Sequence, residues 1–533
     1  MALAIPFAIF RDPWGASGPT MRTVRILVWH GWLLEGSGSN VATARIVEVW
    51  RAAGHDVLLL CQERHPERYP WIDAHGVVDR DGLSDLEPNA DASDASGRCV
   101  LLRPDIGTTL PVFVVDHYEG FETVRPFVDL TEGELDDYLR ANVEALQAAA
   151  AFHGSDVAFV GHGIPGAAIG RRALGARRYV AKIHGSDLEY AIRPQERYRA
   201  LAREGLEAAH AVVGPSAEVL ARCAGLVPEM SELARVVPPG VDVAAFRPRP
   251  RAETLREVAA LLDEDPATVR GRPSSVDAEV ERALDARDGE VIAALFDTYD
   301  EDVPEPDAAA RLRALADRDV PIVGYLGKLI PQKGVELLLE AQPGLRHDTA
   351  ALVVGFGSDR DWLVALTIAL RGGDRAALEW LRNVGGLPVD PSSAPGPTAD
   401  RPDVTFTGLL DHRYAPGALA AMDVQVVPSI LQEAFGIVAI EGAAAGALPM
   451  VARHSGLAEI AGAFEAEVGR PGFFSFEPGQ GAVRGLAQGI DRLLSLPDGE
   501  REELRRALGS FVATHWTWER TAVGLLAAAE PVG

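Results

Sequence analysis

Gly324-Tyr325-Leu326-Gly327-Lys328-Leu329-Ile330-Pro331-Gln332-Lys333-Gly334 carries the clearest structural signal in this 533-residue chain. The apolar run Ile322 to Leu326 predicts a buried strand, and Val335 to Ala341 predicts a helix beside Gly334. Between them the connection presents two lysines. A helix N-terminus offers free backbone N–H groups and partial positive charge. With two ammonium groups added, the segment reads as a diphosphate site. Lys328 and Lys333 would stabilise the negative charge that develops on a departing nucleoside diphosphate. Lysine is also scarce: of 51 basic residues only Lys182, Lys328 and Lys333 are lysine. Positions that keep a compact ammonium where arginine is otherwise used are candidates for a role that a planar fork cannot fill.

Further along, Pro428-Ser429-Ile430-Leu431-Gln432-Glu433-Ala434-Phe435-Gly436-Ile437-Val438-Ala439-Ile440-Glu441-Gly442 follows a strand pattern at Val424 to Val427. The spacing puts Glu433 in a loop and Glu441 about a turn and a half inside a helix that starts near Gly436. Gly436 allows a ligand close to the backbone, and two carboxylates so placed accept hydrogen bonds from sugar and ribose hydroxyls. Taken alone, Glu-x7-Glu is also a common capping or solvated pair. Two weaker strand-to-loop signals are Val353-Val354-Gly355-Phe356-Gly357-Ser358 and Lys182-Ile183-His184-Gly185-Ser186-Asp187. Ligands bind at the carboxyl ends of strands in open α/β sheets, although His184 and Asp187 would also serve to satisfy local backbone.

Strands alternate with helices on both sides of these motifs, an α/β pattern with parallel sheets. Strands are expected at Val24–Trp29, Val57–Cys61, Val112–Val115, Val157–Val160, Tyr179–Ile183 and Ala211–Val213, then at Ile322–Leu326, Ala351–Val354, Val404–Phe406, Val424–Val427 and Leu448–Val451. Gly36-Ser37-Gly38-Ser39-Asn40 is a Gly-rich turn before a helix from Val41 to Ala53, closed by Gly54. Pro and Gly at Val237–Gly240 and around Pro248 mark a boundary. The expected organisation is a tail at 1–20 with Met21 as the candidate start, an N-terminal domain at 21–248 joined by a last helix at about 512–533, an acidic helical insertion at 249–318, and a C-terminal nucleotide-sugar domain at 319–511. A second insertion at about 370–402 ends in a Pro/Ser-rich loop.

Net charge is −26 and opposes nucleic-acid binding by bulk electrostatics. No run of 18 apolar residues predicts a membrane span, while peripheral membrane contact stays open. Three scattered cysteines argue against a disulfide scaffold or a zinc cluster and favour a cytoplasmic setting.

In this order, the motifs resemble the retaining glycosyltransferases of family 4, over about 22–250 and 320–530. The lysine segment, Val404-x-Phe406-x-Gly408, the Glu433–Glu441 segment and the closing Trp516-Thr517-Trp518-Glu519-Arg520 carry the resemblance. It implies a GT-B fold, two Rossmann-like domains facing across a cleft that closes by domain rotation. It further implies that Glu433 holds the donor sugar's hydroxyls, Glu441 the ribose diol, and Lys328 and Lys333 the diphosphate. His184 would lie near the donor sugar, with backbone groups of Phe435 and Gly436 completing the pocket. Gly357 and Leu410 would lie near the nucleoside, and the loop holding Gly38 near the donor phosphate. Glu433, His184 and Lys333 are thus the catalytic candidates, with no metal or cofactor, a nucleotide-diphosphate sugar as donor and an unidentified acceptor. Lys328 departs mildly from the family, which commonly has Arg there, and the two insertions leave domain packing and acceptor access undecided. Competing readings are a metal-dependent enzyme using Asp263-Glu264-Asp265 or Asp359-Arg360-Asp361, an epimerase or phosphorylase on the same fold, and an inactive sugar-nucleotide-binding scaffold.

Overall fold

The computed structural model describes residues 23–79, 82–114, 118, 120–386 and 404–530. The chain divides into two compact units, one formed up to Gly240 and again from Trp518, the other spanning Val241–Thr517.

The first unit is built on a parallel sheet of β1 (Arg25–Trp29), β2 (Asp56–Leu60), β3 (Ala74–Asp79), β4 (Arg98–Pro104), β5 (Val157–Gly161), β6 (Tyr179–Lys182), β7 (Ala211–Gly214) and β8 (Ala234–Val236). Their order is β8-β7-β6-β5-β1-β2-β4-β3, and short segments at Gly82–Leu83 and Glu87–Pro88 pair antiparallel with β3. The order reverses between β1 and β5, the switch point at which open sheets bind ligands. Helix α1 (Gly38–Ala52) starts three residues before its expected position. The Ser37 hydroxyl accepts from the Asn40 N–H, so the Gly-rich segment is itself the first helical turn. The strand expected at 112–115 runs instead from Thr109 to Val112, and Val115 lies outside the described residues. β3 and β4 were not expected, because Gly76 and the polar ends of both strands interrupt the apolar runs. Trp518–Ala529 returns to this unit, where the Trp50 indole N–H donates to Ala522 O at 3.1 Å.

The second unit carries β9 (Ile322–Leu326), β10 (Ala350–Val354), β11 (Val404–Phe406), β12 (Val424–Val427), β13 (Leu448–Ala452) and β14 (Ser475–Phe476) in the parallel order β11-β10-β9-β12-β13-β14. This is the doubly wound order, with its switch point between β9 and β12. Helix α2 (Val335–Ala341) and helix α3 (Ile437–Ala445) follow the two motif loops. The near-continuous Val/Ile/Leu content of β9, β10 and β12 reflects burial on both faces.

The 249–318 segment is not a domain of its own. Leu255, Val258, Leu262, Val280, Leu284 and Leu312 share one core with β9 to β13. Its charges turn inward at one place. Arg360 pairs through both carboxylate oxygens of Glu305, at 2.6 and 3.1 Å, with both side chains at most 4% exposed. Arg272 donates to Asp361 at 2.7 Å. A Pro304–Gly408 bridge and Glu305 N–H to Thr407 O at 2.8 Å lay the segment along the end of β11. The last expected helix is split: Asp498–His515 belongs to this unit and Trp518–Ala529 to the first. The tail, Met21 and most of the Pro/Ser-rich loop lie outside the described residues, whereas Arg375–Val384 inside the second insertion is helical.

Candidate active site

The second unit's motif loops meet at the β9/β12 switch point. Gln332 O accepts from the N–H groups of Ile430 and Leu431, at 2.9 and 3.1 Å. Gly334 makes the approach possible: its φ is +65°, and a Cβ there would stand 2.4 Å from Pro428 O. The two loops are therefore fastened backbone to backbone before any side chain is considered.

Lys333 Nζ lies 2.5 Å from Glu433 Oε1 across this junction. Ser429 Oγ donates to the same carboxylate oxygen at 2.6 Å. The Glu433 N–H donates to Ser455 Oγ at 2.9 Å, Ser455 Oγ lies 3.1 Å from His454 Nδ1, and His454 Nε2 donates to Ser429 O at 2.6 Å. Ser429, Glu433, Ser455 and His454 thus close a ring of hydrogen bonds that fixes both the main chain and the carboxyl group of Glu433. Burial pushes the Glu433 carboxyl up, but the Lys333 ammonium, the Ser429 hydroxyl and His454 outweigh it and hold the group below its ordinary range. Glu433 is therefore a rigid, ionised acceptor. Ser429, His454 and Ser455 escaped sequence reasoning. Their signal was a strand end at Ala452 followed by Arg453-His454-Ser455-Gly456 at a helix start.

Lys328 follows β9, its Nζ 5.2 Å from the Phe356 ring centroid, and Tyr325 Oη donates to Lys328 O at 2.7 Å. Gly357 follows β10, and Leu410 follows β11 with its side chain 3% exposed in the core. Phe435 is likewise a core side chain, edge-on to Trp516 at 5.7 Å, so the side chains at 410 and 435 are packed away from any ligand. Gly436 (φ +108°) precedes α3, and a Cβ there would stand 2.4 Å from Leu457 Cδ2. Glu441, half-buried in the second turn of α3, has no partner among the described residues, and burial raises its pKa to about 7. These eight candidates (Lys328, Lys333, Gly357, Leu410, Glu433, Phe435, Gly436 and Glu441) belong to the second unit, and the structure joins Lys333 directly to Glu433.

Gly38 and His184 belong to the first unit. Gly38 is the first residue of α1. His184 follows β6, its ring 4.3 Å from that of His162, and its pKa is driven well below the ordinary value by burial and then by Lys182 and His30. The Asp187 carboxylate accepts from the N–H groups of Gly163 (2.7 Å), His184 (3.1 Å) and Leu188 (3.0 Å), a role in satisfying local backbone.

Three of the four aspartates of the Asp-x-Asp triplets are engaged elsewhere, Asp359 having only its neighbour Ser358, at 3.4 Å, among the described residues. Asp361 receives Arg272 and the Tyr299 hydroxyl, both at 2.7 Å. Asp263 pairs with Arg313, and Asp265 with Arg413 (3.1 Å) and the Tyr414 hydroxyl (2.8 Å). Among the described residues no group of three or more His, Cys, Asp or Glu is arranged to hold a metal ion. No helix among them is long and apolar enough to cross a membrane.

Residues 320–496 match the family model described as glycosyl transferases group 1. An uncharacterized glycosyltransferase of Methanocaldococcus jannaschii is 29% identical over 206 residues, which is 38% of this chain and 43% of that protein. The GDP-mannose-dependent alpha-(1-6)-phosphatidylinositol monomannoside mannosyltransferase of Mycolicibacterium smegmatis is 33% identical over 159 residues, 29% of this chain and 35% of its own length. The chain thus spans less than half the length of these curated relatives. Among solved structures, Anabaena HepE in complex with UDP and glucose aligns over 95% of this chain and 98% of its own, with TM-score 0.53 and 13% identity. That likeness is one of fold: two Rossmann-like units of the GT-B class.

Proposed function

We propose that the chain is a glycosyltransferase that moves a sugar from a nucleoside diphosphate onto an acceptor, with retention of anomeric configuration and without a metal ion. The observation that carries the reading is the Lys333–Glu433 pair at the β9/β12 switch point, inside the segment that matches glycosyl transferases group 1. A diphosphate entering beside Lys328 and Lys333 would take over the ammonium that pairs with Glu433. Glu433 would then accept hydrogen bonds from the donor sugar's hydroxyls, its position set by Ser429 and Ser455 rather than by the lysine. As the bond to the anomeric carbon breaks, negative charge grows on the diphosphate and both ammonium groups bind it more tightly than they bind the ground state. Glu441 is the candidate acceptor for the ribose diol, and backbone at Gly357 and Leu410 the candidate neighbours of the base. His184 of the first unit is assigned to the donor sugar.

One relative is GDP-mannose-dependent by name, and a fold neighbour is described in complex with UDP-glucose. A thermal-shift screen of nucleoside diphosphates and nucleotide sugars therefore identifies the base, because a ligand selective for the folded state raises its apparent stability. Product anomeric configuration read by proton NMR tests retention. Full transfer in excess chelator is the expected result, and its loss with recovery on adding Mg2+ or Mn2+ would restore the metal-dependent reading. A chain that binds nucleotide sugar but turns over no donor, not even by hydrolysis, would be the scaffold instead. The cytoplasmic setting belongs to the same proposal and is checked by fractionation.

A further inference from the structure

Lys182, the third lysine, lies outside the donor site and has no carboxylate partner among the described residues. It closes β6, where register pairs it with Gly161 of β5, and Val160 of β5 is level with Trp29 of β1. His30, Gly161 and Lys182 therefore form one row across three adjacent strands at the first unit's switch point. Residues in one row project to the same face. Gly161 puts no side chain in the middle of that row, where a Cβ would stand 3.3 Å from Trp29 O and 3.6 Å from His30 Nδ1. Beyond it, His162 is 2% exposed, holds a left-handed backbone (φ +69°) that non-glycine residues seldom adopt, and its Nδ1 has no hydrogen-bond partner. Its ring stacks on Phe113 at 5.1 Å and lies 4.3 Å from His184. The nearby carboxylate, Asp187, already accepts three backbone N–H groups. The Lys182 ammonium makes no hydrogen bond or ion pair among the described residues.

We propose that Lys182, with the imidazole of His162, binds an anionic group, a phosphate or carboxylate, carried by the acceptor. The word acceptor rests on the transferase reading; the anion subsite does not. The His30 ring is already hydrogen-bonded to Asn40 Oδ1 (2.9 Å) and Thr43 Oγ1 (3.3 Å) and only walls the site, so the unpartnered His162 ring nitrogen supplies the N–H donor and the ammonium supplies charge, which suits a single phosphoryl or carboxyl group. Strain at His162 and an orphaned ring nitrogen are features that persist where a ligand completes the hydrogen bonding. Lys182 is a positioning residue here, since it touches the acceptor's anionic group and not the reacting atoms.

The test uses the full chain with inorganic phosphate as probe, read by thermal shift and by histidine side-chain NMR. Phosphate should shift the His162 and His184 rings in the wild type and in the Lys328→Ala/Lys333→Ala double variant. In Lys182→Met the affinity should fall by about tenfold or more, the loss of one charge-assisted hydrogen bond. Phosphate binding unchanged in Lys182→Met, or no histidine shift, would overturn the site. Protection that vanishes in the double variant instead would assign the anion to the donor's diphosphate and overturn the acceptor assignment. Once the donor is known, a hexose phosphate should be preferred to the parent hexose, with Lys182→Met raising the acceptor KM and leaving the donor KM unchanged; equal use of both acceptors would also overturn it. Nucleoside diphosphate binding, measured separately, reports on the transferase reading alone.

Discussion

Each unit places a lysine at the switch point of its parallel sheet, and the two are held in opposite ways. Lys333 touches a carboxylate that is itself fixed by a ring of four residues. Lys182 sits at the end of its strand with no counter-ion among the described residues, and burial lowers its pKa to about 8. A paired ammonium contributes to the folded state and must exchange partners when a ligand arrives. An unpaired one costs desolvation until a ligand supplies the charge. The difference separates a site organised before binding from one whose electrostatics are completed by binding.

The comparison breaks most visibly at Glu433. Glu433→Ala should lower the transfer rate by about 100-fold or more, the scale of losing one positioned hydrogen-bonding group, while nucleoside diphosphate affinity holds or rises because Lys333 is released. Steady-state rates beside calorimetric binding read both effects, and retained activity would remove Glu433 from the mechanism. A comparable loss in stability is expected from Glu305→Ala, which strands the buried Arg360 guanidinium. Breaking such a pair costs about 3–5 kcal/mol, measured by denaturant unfolding.

Methionine at the two lysines sharpens the contrast. Lys333→Met leaves the Glu433 carboxylate without its ammonium and should lower Tm. Lys182→Met removes a buried charge that has no counter-ion among the described residues and should raise it, each change corresponding to about 1 kcal/mol of unfolding free energy. Shifts of the same sign in both variants would mean that the lysines are held alike.

The smallest effect is one of pH. Burial raises the Glu441 carboxyl to about 7, so the ionised form gains between pH 6 and 8. If the carboxylate accepts from the ribose diol, nucleotide affinity should strengthen severalfold over that interval and flatten in Glu441→Gln. For folding the sign is opposite. The folded state binds more protons than the unfolded state between its ordinary value and about 7, so Glu441 lowers stability as pH rises through that window. Unfolding curves at about pH 5 and pH 7, with Glu441→Gln as reference, test it.

Alternating apolar runs and Gly-rich turns were enough to read β1, β9, β11, β12 and helix α2, because strands buried on both faces have little compositional freedom. Lys328, Lys333, Glu433 and Glu441 were legible for a related reason: each stands at a strand end or just inside a helix, and the local pattern places it there. Lysine scarcity drew notice to Lys182, but nothing local tied it to His30 and His162, which come from strands 20 to 150 residues away. The partners of Glu433 at His454 and Ser455 escaped for the same reason. Position along the chain determined which residues reach the edge of each sheet. Register across the sheet decided which of them meet, since hydrogen bonding between distant strands is set by whole-fold packing, and so only the tertiary structure distinguished a lysine with a carboxylate from a lysine without one.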